Sequence, residues 1–395
     1  MKVKRLNIEK LVICMLIFIN TYFGILILNT EKYYGDFLNQ PLRLNKNIVI
    51  LYIFMYILLF LISYFYYRKI EIKLPLKNFL FCLNKKRLNI FFTIITIIQI
   101  IFYFETGIGK AGTISRNSFS FIFNLFNLDC FFLFYYIIAR EKNFLYVLNI
   151  LLYIFYYLIR GWTGVFYFIF IIEGSFFFNK KKLSNLYIIL IIPILILGGK
   201  IYQYLYFLKN YIRYNVSLKI DFLSGLNHLL GRLSVISNSL IGFQNADIIK
   251  KLYLEQNLQY VEIRSFFNPL LPGALFNKNF DILNNLIITS EYGKIPNISF
   301  VIGLISFIYN LYNIKVRELI LWIIFFMIIL SLYIKLVMFF IKISGKKELK
   351  ILIFIYILDL CNNGSLGFNN PGWFKIYFFI FIFFLLKIIR IKKKS

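Results

Sequence analysis

Arg160 offers the clearest chemistry in this sequence. It opens the run Arg160-Gly161-Trp162-Thr163-Gly164, between two apolar stretches at 144–159 and 164–178. Each stretch reaches only about 24 Å as a helix at 1.5 Å per residue, so the turn joining them is expected at or below the plane of lipid headgroups. A guanidinium placed there can grip phosphate oxygens through a planar fork of donors, whereas a lysine offers only a point charge. An ordinary hairpin with an aromatic anchor accounts for the glycines and Trp162. It leaves unexplained an arginine where burial is costly.

A second group of reactive residues gathers between 208 and 316: His228, Gly231-Arg232-Leu233-Ser234, Glu262, Arg264, the Asn268-Pro269 turn and Glu291. His228 and Arg232 are four apart and share a face if the segment is helical, with Asp221, Ser224 and Gly225 one to two turns earlier. Glu262 and Arg264 alternate, which favours an extended segment with both on one side. His228, Glu262 and Glu291 are the candidate general bases. Arg116, Arg213, Arg232 and Arg264 join Arg160 as candidate phosphate ligands, and the plainer role for each is contact with anionic headgroups. Two charges fall at membrane depth, Asp129 and Lys200, and form a candidate internal pair, although their depths differ. Glu173 and Lys335 lie nearer the ends of their apolar runs and are expected to snorkel.

The elements that must position these groups are read from hydropathy. Of 395 residues, 60% are hydrophobic and 16% charged, with a mean hydropathy of +0.75. A soluble domain averages about 25% charged residues, and the surplus here is apolar; this is a membrane-protein composition. Apolar runs at 11–28, 48–67, 90–104, 119–139, 144–159, 164–178, 186–207, 317–341, 349–361 and 374–390 predict about ten spans in an all-α polytopic fold. The first reads as an uncleaved anchor, since four basic residues precede it and no small-residue cleavage site follows.

The formal charge of +28 falls in short clusters, a pattern of topology and not of nucleic-acid binding. Alternation from a cytoplasmic amino terminus puts 68–89, 140–143, 179–185, 342–348 and the tail from Lys387 inside, and these segments with the terminus hold more than half of the 45 Lys and Arg. Both termini then lie inside. An eleventh span at 298–313 would turn the basic loop at 342–350 and the tail outward, so that segment is read as an interfacial or re-entrant helix. The chain thus divides into a membrane half at 1–207, a large outer loop at 208–316 containing helices such as one from Asp221 to Gly242, and a three-helix membrane half at 317–395.

Some classes are excluded. One histidine and four dispersed cysteines provide no imidazole-based metal site and no disulfide pattern. No phosphate-binding glycine loop of the nucleotide type is present, so nucleotide-driven transport and redox chemistry drop out and no cofactor is expected.

With these residues in place, the chain resembles the bacterial oligosaccharide repeat-unit polymerases of the Wzy type, the O-antigen polymerases. The likeness rests on about ten spans, basic inner loops, one dominant outer loop in the second half, the Arg160-Gly161-Trp162-Thr163-Gly164 turn and Gly231-Arg232-Leu233-Ser234 within that loop. It implies a GT-C-like membrane fold, related to the O-antigen ligases, in the bacterial inner membrane with its active site on the periplasmic side. The implied substrates are undecaprenyl-diphosphate-linked oligosaccharides, polymerised into O-antigen or capsule-type polysaccharide, with a chain-length regulator as a partner and no metal. By the same resemblance Arg160 and Arg232 take the diphosphate, and the base is one of His228, Glu262 and Glu291. The alternatives are a lipid-linked oligosaccharide flippase or transporter, and the ligase itself.

Overall fold

A computed structural model describes residues 7–34, 40–70, 81–107, 126, 128–141, 143–162, 164–181, 189, 191–214, 220–260, 263–264, 303–364 and 371–391. The chain is mostly helical. Its helices are α1 (Ile8–Thr30), α2 (Lys46–Lys69), α3 (Lys85–Thr106), α4 (Phe132–Ile138), α5 (Phe144–Ile159), α6 (Val165–Lys181), α7 (Ile191–Tyr214), α8 (Phe222–Leu233), α9 (Ile236–Gln244), α10 (Ala246–Glu255), α11 (Gly303–Ile314), α12 (Val316–Ser344), α13 (Ile351–Asn363) and α14 (Pro371–Leu385). Among the described residues α1, α2, α3 and α12 are long and apolar enough to cross a membrane. α5, α6 and the 375–385 part of α14 are apolar but shorter. The outward faces carry unbroken apolar stripes, such as Ile50, Phe54, Leu58 and Phe65 on α2 and Ile90, Ile94, Ile98 and Ile101 on α3. Water does not tolerate apolar area on that scale, and lipid does.

Helix starts follow local chemistry. Asn7, Asn45, Asn84 and Asn143 each turn a side-chain oxygen onto a backbone N–H of the helix that follows. These caps satisfy donors that lack a partner within the helix.

Segments that the charge distribution assigns to one side meet one another. Strand β1 (Phe81–Leu83) pairs antiparallel with β2 (Ile389–Ile391) in the register Phe81↔Ile391, Cys82↔Arg390 and Leu83↔Ile389, joining the 68–89 loop to the tail. Arg87 donates to the Leu386 carbonyl at 2.9 Å, Tyr67 to Glu9 at 3.0 Å, and Lys350 lies over the Tyr67 ring. At the other end Gln244 accepts from the Tyr33 hydroxyl at 2.8 Å and from the Arg43 amide at 3.1 Å.

Three expectations are corrected. The continuous helix expected over 119–139 is broken within its described part: a 3-10 turn at Leu128–Cys130 precedes the seven-residue α4. The Gln99 side chain donates to the Phe126 carbonyl, taking an acceptor that a continuous helix would have used itself. The stretch from Asp221 to Gly242 is two helices, because Asn20 of α1 accepts from the Val235 amide at 3.0 Å and holds the chain in a break at Ser234–Val235. Around Arg264 the chain is a helical turn and not extended, its amide donating to the Tyr260 carbonyl at 2.9 Å.

That break changes the picture of the 208–316 region. Asn20 lies about 15 Å from the end of α1, and Tyr56 about 15 Å from the start of α2, at 1.5 Å per residue. Tyr56 bonds Ser239 of α9 at 2.8 Å, and its hydroxyl lies against Gly303 at the start of α11. So α9, expected within an outer loop, is buried halfway along the α1–α2 hairpin. The twelve-residue α11, at about 18 Å, is too short to cross and packs beside it. The carboxyl end of α13 arrives at the same level. A Cβ on Gly303 would stand 1.9 Å from the Tyr56 hydroxyl, and one on Gly364 would stand 2.6 Å from Phe307 Cβ. Both glycines have positive φ, so a side chain is excluded by backbone as well as by space.

Candidate functional site

Arg160 follows the last residue of α5 and is 5% exposed. Gly161, at φ 76°, reverses the chain, and the Trp162 amide returns to the Tyr157 carbonyl at 3.2 Å. Tyr103 of α3 ties this turn down by donating to the Ile159 carbonyl at 2.8 Å. The guanidinium Nη1 contacts both oxygens of Asp129, at 2.8 and 3.1 Å, and its carbon lies 4.7 Å from the Tyr156 ring centroid. Tyr153, one turn before Tyr157, donates its hydroxyl to Asp129 at 2.9 Å. The 3-10 turn is what delivers Asp129. Phe126 and Phe131 on either side of it pack on Phe379 of α14 and fix its orientation.

Burial alone would lower the Arg160 pKa, and the Asp129 carboxylate more than reverses this, so the pKa stands above its usual value. The guanidinium is charged at every physiological pH. A buried ion pair adds little net stability, because desolvation consumes most of the attraction. Its geometry, a fork held by carboxylate, aromatic face and turn backbone, is that of a preorganised cation.

Asp129 therefore pairs with Arg160 and not with Lys200, which lies over the Phe222 ring at 4.9 Å in the α7–α8 hairpin. Gly199 and Gly225 set that hairpin, the Gly199 carbonyl lying 3.5 Å from where a Gly225 Cβ would stand. Arg140 holds the partly exposed Glu173 with both guanidinium nitrogens, and Tyr136 donates to it at 2.6 Å.

Arg232 lies exposed in the last turn of α8, whose start is capped by Asp221. Arg264 is half-buried in the Tyr260 turn, which docks on α12 where Glu318 accepts from the Tyr260 amide at 3.1 Å and Arg317 lies over the Tyr260 ring. Arg160 belongs to the α3–α5–α14 packing group, Arg232 to that of α1, α7 and α8. The side chains of His228 and Arg213, and Arg116, Glu262 and Glu291 altogether, lie outside the described residues.

Two charged groups went unnoticed in the sequence. Lys375 of α14 is 6% exposed, with Asp129 and Cys130 as its electrostatic neighbours. Asp359 of α13 accepts from Asn363 and lies near Tyr167 and Tyr333. Each is an isolated charge inside an apolar run, the signal that draws attention to Asp129 and would have found both. Among the described residues no cluster of His, Cys, Asp and Glu could hold a metal ion.

No protein-family model, no curated protein and no solved structure matches the chain.

Proposed function

We propose that this chain is a glycosyltransferase that polymerises lipid-diphosphate-linked glycan repeat units at the outer face of a bacterial inner membrane. The observation that carries the reading is the buried, preorganised Arg160 at a turn between two short apolar helices, where a lipid diphosphate would present its charge. In the reaction the bond from the donor's anomeric carbon to its diphosphate oxygen breaks, and a bond to the acceptor sugar hydroxyl forms. The hydroxyl proton passes to a base, and undecaprenyl diphosphate leaves. Guanidinium contacts stabilise the leaving charge, and the base is drawn from His228, Glu262 and Glu291. Substrate, bilayer and a chain-length regulator are the partners, and no cofactor enters. The meeting of same-side segments supports the ten-span arrangement with both termini inside.

One observation favours a second reading, a lipid-linked oligosaccharide flippase. The ends of α9, α11 and α13 meet halfway along α2, and discontinuous helices at mid-depth are a transporter feature. Deleting the gene separates the two. A polymerase deletion leaves surface glycan capped with a single repeat unit, because flipping and ligation continue; complete loss of the glycan supports the flippase or the ligase. Within the polymerase reading, Arg160→Lys keeps the charge, loses the fork and shortens the glycan ladder nearly as far as Arg160→Ala. The loss in rate is on the order of a hundredfold. A wild-type ladder from Arg160→Lys at matched protein level removes Arg160 from the site.

A further inference from the structure

Lys375 has no structural task in the contacts it makes. It lies one turn inside α14, whose first residue is Pro371, and a helix amino terminus favours anions over cations. Its neighbour Asp129 already receives Arg160 on both oxygens and the Tyr153 hydroxyl. Among the described residues Lys375 forms no hydrogen bond and no ion pair, although it is almost wholly buried. Two cations therefore face one carboxylate across the Leu128–Cys130 turn. Aromatic rings line this turn: Tyr156 lies under the Arg160 guanidinium, Tyr153 bonds Asp129, and Phe379, four residues on from Lys375, packs against Phe131. A lysine held almost wholly inside the fold is costly, and such charges inside apolar segments usually face a partner or a cavity that admits a ligand.

We propose that Lys375 and Arg160 together form an anion site that takes the phosphate groups of a polyprenyl diphosphate, Lys375 binding as a point charge and Arg160 as the fork. This rests on the functional reading above and adds to it a residue on α14, a helix remote in sequence from the Arg160 turn. The Lys375 ammonium would supply the positive charge that Asp129 cancels on Arg160.

The test uses the full chain, purified in detergent, with farnesyl diphosphate as the probe and inorganic pyrophosphate and farnesol as competitors. Wild type is expected to bind the probe, and pyrophosphate to displace it where farnesol does not. Lys375→Met should weaken binding on the order of tenfold or more, the worth of one charge-assisted contact. The melting temperature should stay level or rise, since a buried charge has gone. Lys375→Arg should bind nearly as wild type. Should Lys375→Met fail to fold, Lys375→Gln reads the same loss of charge. Unchanged affinity in the neutral variant, with binding lost in Arg160→Lys, overturns the role of Lys375 and leaves the polymerase reading standing. Displacement by farnesol as readily as by pyrophosphate shows a site for the tail and overturns the anion site. A wild-type chain that binds no diphosphate lipid overturns the polymerase reading as well.

Discussion

Two of the buried polar groups among the described residues are built in opposite ways. Halfway along α1 and α2 the groups are neutral: Asn20 holds Ser234–Val235, Tyr56 joins Ser239 to the start of α11, and Asn310 donates to the Gly242 carbonyl at 2.9 Å. Asn20 and Asn310 close helix ends that would otherwise leave backbone groups without partners in an apolar interior, and Tyr56 satisfies the Ser239 hydroxyl between them. At the α5–α6 turn the groups are charged, and cations outnumber carboxylates among the described residues. The neutral group has a structural account that is complete in itself: remove it and helix ends lose partners. In the charged group Arg160 and the Tyr153 hydroxyl both bond Asp129, so these contacts run between side chains and not to helix ends. The difference teaches which buried polar residues of a membrane chain to assign to architecture and which to chemistry.

Removing Asp129 should have the largest effect. Asp129→Ala leaves Arg160 buried without its counter-charge and is expected to cost about 3–5 kcal/mol, whereas the double variant Asp129→Leu, Arg160→Met should recover most of that. Thermal unfolding in detergent reads both. A double variant no more stable than Asp129→Ala would show that the cluster holds the fold, and the comparison with the neutral group would collapse.

Gly303→Ala strikes the neutral group. The backbone at φ 73° disfavours any Cβ, by about 1–2 kcal/mol, before displacement of the Tyr56 hydroxyl is counted. Tyr56→Phe, which removes the hydroxyl and leaves Ser239 short of a partner, should cost about 1–3 kcal/mol. Both should lower the melting temperature and leave diphosphate binding per folded molecule intact. A binding defect at unchanged stability would move the neutral group from architecture to chemistry.

The smallest effect is expected at Asp221, the exposed cap of α8. The Ser224 hydroxyl beside it and the Ser224 amide that donates to it hold the carboxyl below the usual carboxylate range. A depressed folded-state pKa contributes stability above the unfolded pKa, and that contribution is lost as pH falls through the folded one. Amide exchange in the first turn of α8 should therefore quicken below the carboxylate range, relative to the neighbouring α7. Asp221→Asn, which caps without titrating, should abolish the pH dependence. An unchanged profile in that variant would place the titration elsewhere.

The sequence by itself determined that the fold is helical, that most described helices fall in the apolar runs, the broken 119–139 run excepted, and that segments sharing an excess of Lys and Arg meet. These properties depend on the transfer of side chains out of water and on charge near each run, both local in the chain. It also pointed to Arg160, because an arginine between two short apolar stretches is conspicuous without any partner in view. Only the tertiary structure decided that Asp129 serves Arg160 and not Lys200, that Lys375 of α14 stands beside them, and that α9 lies inside the bundle. Each depends on which helix face meets which. Hydropathy is blind to this: Ser237 and Ser239 make α9 look like part of a polar loop until Tyr34 and Tyr56 supply their partners. A buried polar group is stable only through its partner, and partners separated by hundreds of residues become neighbours only when the chain has packed.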